Sequence, residues 1–256
     1  MHTHYPTDSG YAYLSEKSIF REKDLHNDFT SESWFELNLY GITGREFTEV
    51  QLKILNYIWR STSYSDIRIW PNRIAALAGT TRSTALMSIV GGLSSCDAEL
   101  FVTQPLVNCL VMYQKMEKLL TIHGQSLEFL IQQKLDSNET IFGFGRPITS
   151  VDERVPHFVS YLNRLGCDKG FHFKLAFKIE AILKAKKNIQ MNIAALYSAV
   201  LADLEFNKTE LSLFVSLLVV AGMPPCYLDA QKKPPGTFLP IKCSDINFVG
   251  EKDKSW

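Results

Sequence analysis

The sequence predicts an all-α protein, and three observations carry that expectation. Apolar residues recur at helical spacing along most of the chain, helix-start chemistry precedes several of those runs, and no zone alternates with the two-residue period of a strand. With 256 residues, 46% of them hydrophobic and 12% aromatic, the chain can bury a sizeable core. That length accommodates one large domain, or a large domain with a smaller lobe.

Residues 1–30 are polar, aromatic and irregular, and read as an ordered arm or a partly disordered tail. A helical run covers residues 32–40, and residues 41–44 form a turn. Thr48 has the character of an N-cap, with Gln51 three residues on as its capping-box partner. In the helix that follows, Leu52, Leu55 and Trp59 share one line, with Ile54 and Ile58 beside it. Pro71 suits a helix start, continued by Ile74, Ala75, Leu77 and Ala78. Residues 81–93 are rich in Ala, Ser and Gly, which lets helices approach closely. Residues 101–124 are mostly apolar, with Lys115, Glu117 and Lys118 on one side, and residues 126–135 extend the helical pattern.

The second half has the same character. Residues 151–165 are amphipathic, with Val155, Phe158, Val159, Leu162 and Leu165 on one face. Residues 171–187 place Phe173, Leu175, Ala176, Ile179, Ile182 and Leu183 at helical spacing, and their lysine-rich end complements the helix dipole. Residues 192–204 form another helix. Residues 209–222 are nearly all apolar, are expected to be buried on most faces, and are terminated by Pro224-Pro225. A tail with Lys232-Lys233-Pro234-Pro235-Gly236 and a short 241–249 segment follows.

Composition narrows the function classes. Lys+Arg and Asp+Glu both number 27, so no basic excess points to nucleic acid or an anionic membrane. The longest apolar candidate, residues 211–223, is broken by Ser212, Ser216 and Gly222, short of the about 18 residues a span needs. The opening Met1-His2-Thr3-His4-Tyr5-Pro6 has no apolar signal region, and a cytoplasmic protein is expected. Cys96, Cys109, Cys167, Cys226 and Cys243 are scattered without a C-x-x-C pair, which reads as reduced thiols and neither a disulfide frame nor a metal site. P-loop, serine-hydrolase elbow, H-E-x-x-H and EF-hand patterns are absent.

The most informative stretch is Ile141-Phe142-Gly143-Phe144-Gly145-Arg146-Pro147, followed by Asp152-Glu153-Arg154. It resembles the substrate-binding loop of the citrate synthase and citryl-CoA lyase-like superfamily, which usually reads Gly-Phe-Gly-His-Pro and then Asp-Pro-Arg. The resemblance extends diffusely from about residue 32 to residue 250. Tyr40-Gly41-Ile42-Thr43-Gly44-Arg45-Glu46 looks like the family's early helix–turn–helix, and Arg73-Ile74-Ala75-Ala76 up to Gly91-Gly92-Leu93 like the helix pair before its first catalytic histidine. Asn192-Ile193-Ala194-Ala195 looks like the segment that normally reads Asn-Val-Asp, and the tail through Phe248-Val249-Gly250 resembles the stretch past the coenzyme A site. The resemblance implies an all-α two-domain fold, a homodimer, and an acyl-CoA with an oxo-acid as ligands. It places a large helical domain at residues 32–135 and 190–250, a smaller lobe with the substrate loop at 136–189, an arm at 1–31 and a tail at 251–256. It implies no cofactor, with a coenzyme A thioester as substrate.

The family's catalytic positions do not carry over. Where Leu-His-Gly is expected, this chain has Glu99-Leu100-Phe101; the second histidine falls on Arg146; the aspartate that removes the α-proton falls on Ala194. Phe and Ala cannot transfer protons. Losing a whole acid–base constellation excludes ordinary citrate synthesis. Arg154 matches the arginine that holds a substrate carboxylate, and Arg146 could add a second guanidinium beside Gly143 and Gly145. The competing reading makes both arginines solvated charges paired with Asp152 or Glu153. Cys96 and His157 are the candidates for nucleophile or proton work, and Lys232 and Lys233 for coenzyme A phosphates; bland alternatives are a buried thiol, core or interface histidines at His157 and His172, and solvated lysines. Three function classes stay open. One is an acyltransferase or carbon–carbon lyase of altered chemistry. The second is a pseudoenzyme acting as a dimeric regulatory or interaction subunit. The third is a helical interaction protein whose likeness to the family is accidental.

Overall fold

The structure, a computed structural model, describes residues 6–14, 16–29, 32–145, 151–247 and 249–250. In chain order its elements are β1 (Gly10–Tyr13), β2 (Lys17–Phe20), β3 (Lys23–Asp24), α1 (Trp34–Thr43), α2 (Glu49–Thr62), α3 (Trp70–Thr80), α4 (Ala85–Ser94), α5 (Thr103–Thr121), α6 (Leu127–Asp136), α7 (Arg154–Leu165), α8 (Phe171–Lys187), α9 (Ile193–Asp203), α10 (Lys208–Leu218) and α11 (Met223–Gln231), with 3-10 turns at Val220–Gly222 and Cys243–Asp245. Among the described residues the protein is helical, as the sequence predicts, apart from one small sheet. It divides into two compact units, Met1–Ser61 with Asp97–Leu218, and Thr62–Cys96 with Val219–Trp256.

In the first unit, β1, β2 and β3 form an antiparallel sheet in that order, with Tyr11 opposite Ile19 and Ile19 opposite Asp24. The sheet corrects the expectation of an irregular arm: strands of four and two residues are too short to show a period. It is tied to α1, since Arg21 donates to the Gly41 carbonyl from Nη2 (2.6 Å) and Nε (3.1 Å). Phe20, Phe29 and Tyr40 pack as an aromatic trio, with Phe29 and Tyr40 centroids 5.6 Å apart. The helix α1 starts at a reciprocal Ser33/Glu36 capping box and runs through Gly41 to end on Gly44 in the left-handed region. The predicted Thr48/Gln51 box opens α2: the Thr48 amide donates to Gln51 Oε1 (2.8 Å) and its hydroxyl accepts from the Gln51 amide (3.3 Å).

The core of this unit is built on α5, α8 and α9. Cys109, Leu110 and Tyr113 of α5, Ala176, Ile179 and Leu183 of α8, and Leu196, Ala199 and Leu201 of α9 are fully buried in one cluster. That cluster explains why the expected 136–189 lobe does not stand apart: the buried faces of α7 and α8 belong to the same core as α5 and α9. The helix α10 buries Leu211, Phe214, Val215 and Leu218 but leaves Leu213 half exposed, so it is one-faced and not buried on most sides.

The second unit contains α3, α4, α11 and both 3-10 turns. Pro71 stands in the first turn of α3, as predicted. Small residues let its helices close up: Ala75, Ala76 and Ala230 are buried, and a Cβ on Gly92 would lie 3.0 Å from the Pro71 carbonyl oxygen. Pro224 and Pro225 stand in the first turn of α11, a helix that sequence reasoning missed by reading them as terminators. Proline suits a first turn because its absent N–H has no helical partner there. The helical run Lys208–Gln231 contains an 18-residue window of mean hydropathy 1.9 and is long and apolar enough to cross a membrane by length and composition, against the expectation that no run was; half of that window is buried within the protein.

Candidate functional site

The glycine-rich loop is built against the start of α9. The Asn192 amide donates to the Gly143 carbonyl (2.8 Å), the Gly145 amide to the Gln190 carbonyl (2.8 Å), and Asn192 Nδ2 to the Gly145 carbonyl (2.9 Å). Phe144 and Met191 form an isolated antiparallel bridge between these segments, and Glu180 Oε1 of α8 accepts from the Met191 amide (2.9 Å). Gly143 and Gly145 hold φ of +84° and +88°, where side chains with a Cβ are disfavoured. A Cβ on Gly143 would also lie 2.7 Å from Ala195 Cα. Only glycine permits that approach, and the two motifs quoted above, Gly143–Gly145 and Asn192–Ala195, therefore meet in space.

The first turn of α9 is capped entirely by the protein itself. Asn192 Oδ1 accepts from the Ala194 amide (2.9 Å), and Asp152 Oδ2 accepts from the Ile193 amide (2.9 Å). Asp152, 2% exposed, also takes Arg154 Nε on Oδ1 (2.9 Å) and Nη2 on Oδ2 (2.8 Å) in a bidentate pair, and the Arg154 amide on Oδ1 (3.2 Å). Burial alone would push the Asp152 carboxyl up; the hydrogen bonds from Arg154 and the Ile193 amide outweigh it and hold the group below its usual range. The Arg154 side chain remains 30% exposed. Arg154 is thus linked to the glycine loop through α9: Asp152 holds its fork and caps the Ile193 amide, while the neighbouring Asn192 bonds Gly143 and Gly145.

Tyr197, one turn into α9, completes this corner. Its phenol hydrogen-bonds the Ser61 hydroxyl, its ring meets Phe158 edge-on at 5.0 Å, and burial pushes the phenol up to about 12 while the Arg154 charge acts in the opposite sense. Sequence reasoning missed Tyr197, Ser61 and the burial of Asp152. The one available signal was helical spacing, which places Tyr197 on the face of Ile193.

The remaining candidates lie elsewhere. Arg146 falls outside the described residues. His157 follows Arg154 by one turn of α7 and is exposed. Cys96 is 4% exposed, its thiol directed at the Gly92 carbonyl (3.5 Å), and burial pushes it up to about 11, so at neutral pH it is a protonated packing group and not a thiolate. Lys232 is exposed; Lys233 pairs with Asp229 (2.7 Å), and its carbonyl accepts from Arg82 Nη2 (2.7 Å). Glu99 is exposed and Ala194 is half-buried beside the glycine loop. His172 is a core histidine with one ring nitrogen partnered and the other, Nε2, buried without a hydrogen bond. Its Nδ1 lies 2.9 Å from Asp203 Oδ1, and Asp203 caps α8 by accepting from the His172 (2.8 Å) and Phe173 (2.9 Å) amides. Among the described residues no cluster of three or more His, Cys, Asp or Glu could hold a metal ion.

No protein-family model and no curated protein sequence matches the chain. Solved structures do. A citryl-CoA lyase from Hydrogenobacter thermophilus superposes with a TM-score of 0.85 at 14% identity, covering 98% of this chain and 97% of that one. An ATP citrate lyase from Methanothrix soehngenii, in complex with citrate and coenzyme A, gives 0.79 at 17% identity over 99% of this chain and 43% of that one. A citrate synthase from Thermotoga maritima gives 0.67 at 18% identity over 88% and 60%. The chain has a citrate synthase-like helical fold, which the loop motif and the segment around Asn192 anticipate.

Proposed function

We propose that this chain binds an acyl-CoA and/or a carboxylate ligand at the corner formed by Gly143, Gly145, the start of α9 and Arg154, and that any carbon–carbon bond chemistry there uses residues other than the family's His/His/Asp. The observation that carries the reading is Arg154. It is aimed by a buried carboxylate and partly exposed, and that carboxylate caps the same end of α9 whose Asn192 bonds the positive-φ glycines Gly143 and Gly145. Fixing a guanidinium in this way removes the entropy cost of ordering it on a ligand. The fold supports the ligand class: the ATP citrate lyase of like fold was solved with citrate and coenzyme A. Arg146 is proposed as a second anion-binding group on the same loop, and Lys232 and Lys233 as contacts for coenzyme A phosphates.

A second reading, a pseudoenzyme acting as a dimeric regulatory or interaction subunit, is favoured by the chemistry of the same residues. Ala194 carries no proton-transfer group, Cys96 is a buried thiol held up at about 11, and His157 points to solvent-exposed surface. The partner in that reading is a second copy in the cytoplasm, and α4 leaves Leu86 (73%), Met87 (57%) and Val90 (47%) exposed for it. Calorimetric titration with coenzyme A thioesters and with di- and tricarboxylates, using Arg154→Ala as control, separates the alternatives. Binding that Arg154→Ala weakens supports the ligand site, and turnover of the bound thioester supports the enzyme. No heat with any of them, or equal binding by the variant, leaves the interaction-subunit reading.

A further inference from the structure

A pocket of about 510 Å³ opens between the C-terminal end of α5, the start of α6 and the first half of α8, away from the glycine loop in both sequence and hydrogen bonding. Leu120, Leu127 and Leu175 give it an apolar lining, the last two buried, and Phe171 lines it with 42% of its surface exposed. Its charged lining is lysine alone: Lys169, Lys174 and Lys178. Lys174 and Lys178 are four residues apart on α8, a like-charge spacing that destabilises a helix unless something neutralises it.

Nothing in the described protein does so. Among the described residues none of these three lysines makes an ion pair, whereas Lys53 is matched by Glu49 (2.6 Å) and Lys134 by Glu139 (2.7 Å). The helix α8 carries five lysines and one glutamate in a chain of zero net charge, and that glutamate, Glu180, is turned to the Met191 amide. Glu117 of α5, the nearby acid in sequence to the α5 end of the pocket, is directed at His172 Nε2 (3.2 Å). Three exposed ammonium groups without an ion-pair partner among the described residues, beside an apolar lining and an exposed aromatic ring, define a ligand with two parts.

We infer that this pocket binds a small organophosphate whose apolar or aromatic part rests on Leu127, Leu175 and Phe171 while its phosphate is held by Lys169, Lys174 and Lys178. Lysine suits phosphate as a compact point charge with rotatable donors, and three of them match a dianion better than a single carboxylate would. The inference does not rest on the Arg154 site.

Isothermal titration of the full chain with phenyl phosphate, inorganic phosphate and phenol tests it. Phenyl phosphate is expected to bind about tenfold more tightly than either half-molecule, a gap of about 1.4 kcal/mol, and to weaken as salt is raised. The Lys174→Glu/Lys178→Glu variant is expected to lose the binding, and Arg154→Ala to keep it. Should the charge-reversed variant fail to fold by circular dichroism, Lys174→Ala/Lys178→Ala is expected to weaken phenyl phosphate by about tenfold in a folded protein. Equal affinity for phenyl and inorganic phosphate, undiminished binding by the folded lysine variant, no binding at millimolar concentration, or loss of binding in an Arg154→Ala protein that is folded by circular dichroism would each overturn it.

Discussion

At the start of α9 a cation is already answered by a buried carboxylate; beside the first half of α8 three cations have no such answer among the described residues. Both places belong to the same unit, and both would read in sequence as basic groups near a helix. The difference lies in what the neighbouring backbone demands. The first turn of α9 has amides that need acceptors, and Asp152 meets one of them while gripping Arg154. Asp152 is then integral to the fold, and Arg154 is a pre-aimed group. The first turn of α8 has its own acceptor in Asp203, brought from the end of α9, which leaves the lysines outside any structural circuit. A cation recruited by the fold is costly to remove; a cation outside it is cheap to remove and available to a ligand.

That contrast breaks most sharply at Asp152. Asp152→Ala strips the Ile193 amide and the partly exposed Arg154 fork of their acceptor together, and is expected to cost about 3 kcal/mol in chemical denaturation. A loss below about 1 kcal/mol would make the pair an ordinary surface contact. The same carboxyl gives the protein an acid-side signature. Its folded pKa lies below the ordinary value, so its contribution is complete above about pH 4 and is lost as pH falls through the lower folded value. A stability profile of Asp152→Asn should lack that part of the acid-side slope. Gly143→Ala comes next, because it combines a φ of +84° with a Cβ 2.7 Å from Ala195 Cα. About 2–3 kcal/mol is expected, read as a shift in thermal midpoint. Smallest is Lys178→Glu, which turns the Lys174 spacing from like to opposite charge and should stabilise the ligand-free protein by about 0.5 kcal/mol. Destabilisation there would mean that the α8 lysines serve the fold after all.

Much of this fold was legible because helix periodicity and capping are local. The 171–187 run carries its apolar face, its lysine-rich end and its limits within its own residues, and the Thr48/Gln51 box marks the start of α2. The small sheet was not legible, since β3 has two residues and β1 and β2 four each. Nor was α11, because a proline pair marks a helix start and a helix stop with the same letters. The division into units was hidden for another reason. The second unit joins residues 62–96 to the C-terminal stretch, and no composition change flags two distant segments as partners.

At the site, the glycines were legible from the motif, and their positive φ gives the physical reason for them. The pairing of Arg154 with Asp152 was one of two readings open from sequence, but its burial was not, because burial depends on α9 arriving from the far side of the chain. Tyr197 and Ser61 lie far apart in sequence and meet only in the folded protein, so neither segment announces the contact.

Hydrogen–deuterium exchange with and without a coenzyme A thioester plus a tricarboxylate tests the ligand corner most directly. Protection is predicted at the amides of residues 141–145 and 152–154 and the first turn of α9, and it should vanish in Arg154→Ala. Unchanged exchange across all three segments, or the same protection in the variant, would contradict the assignment of Arg154 as the anion-holding group.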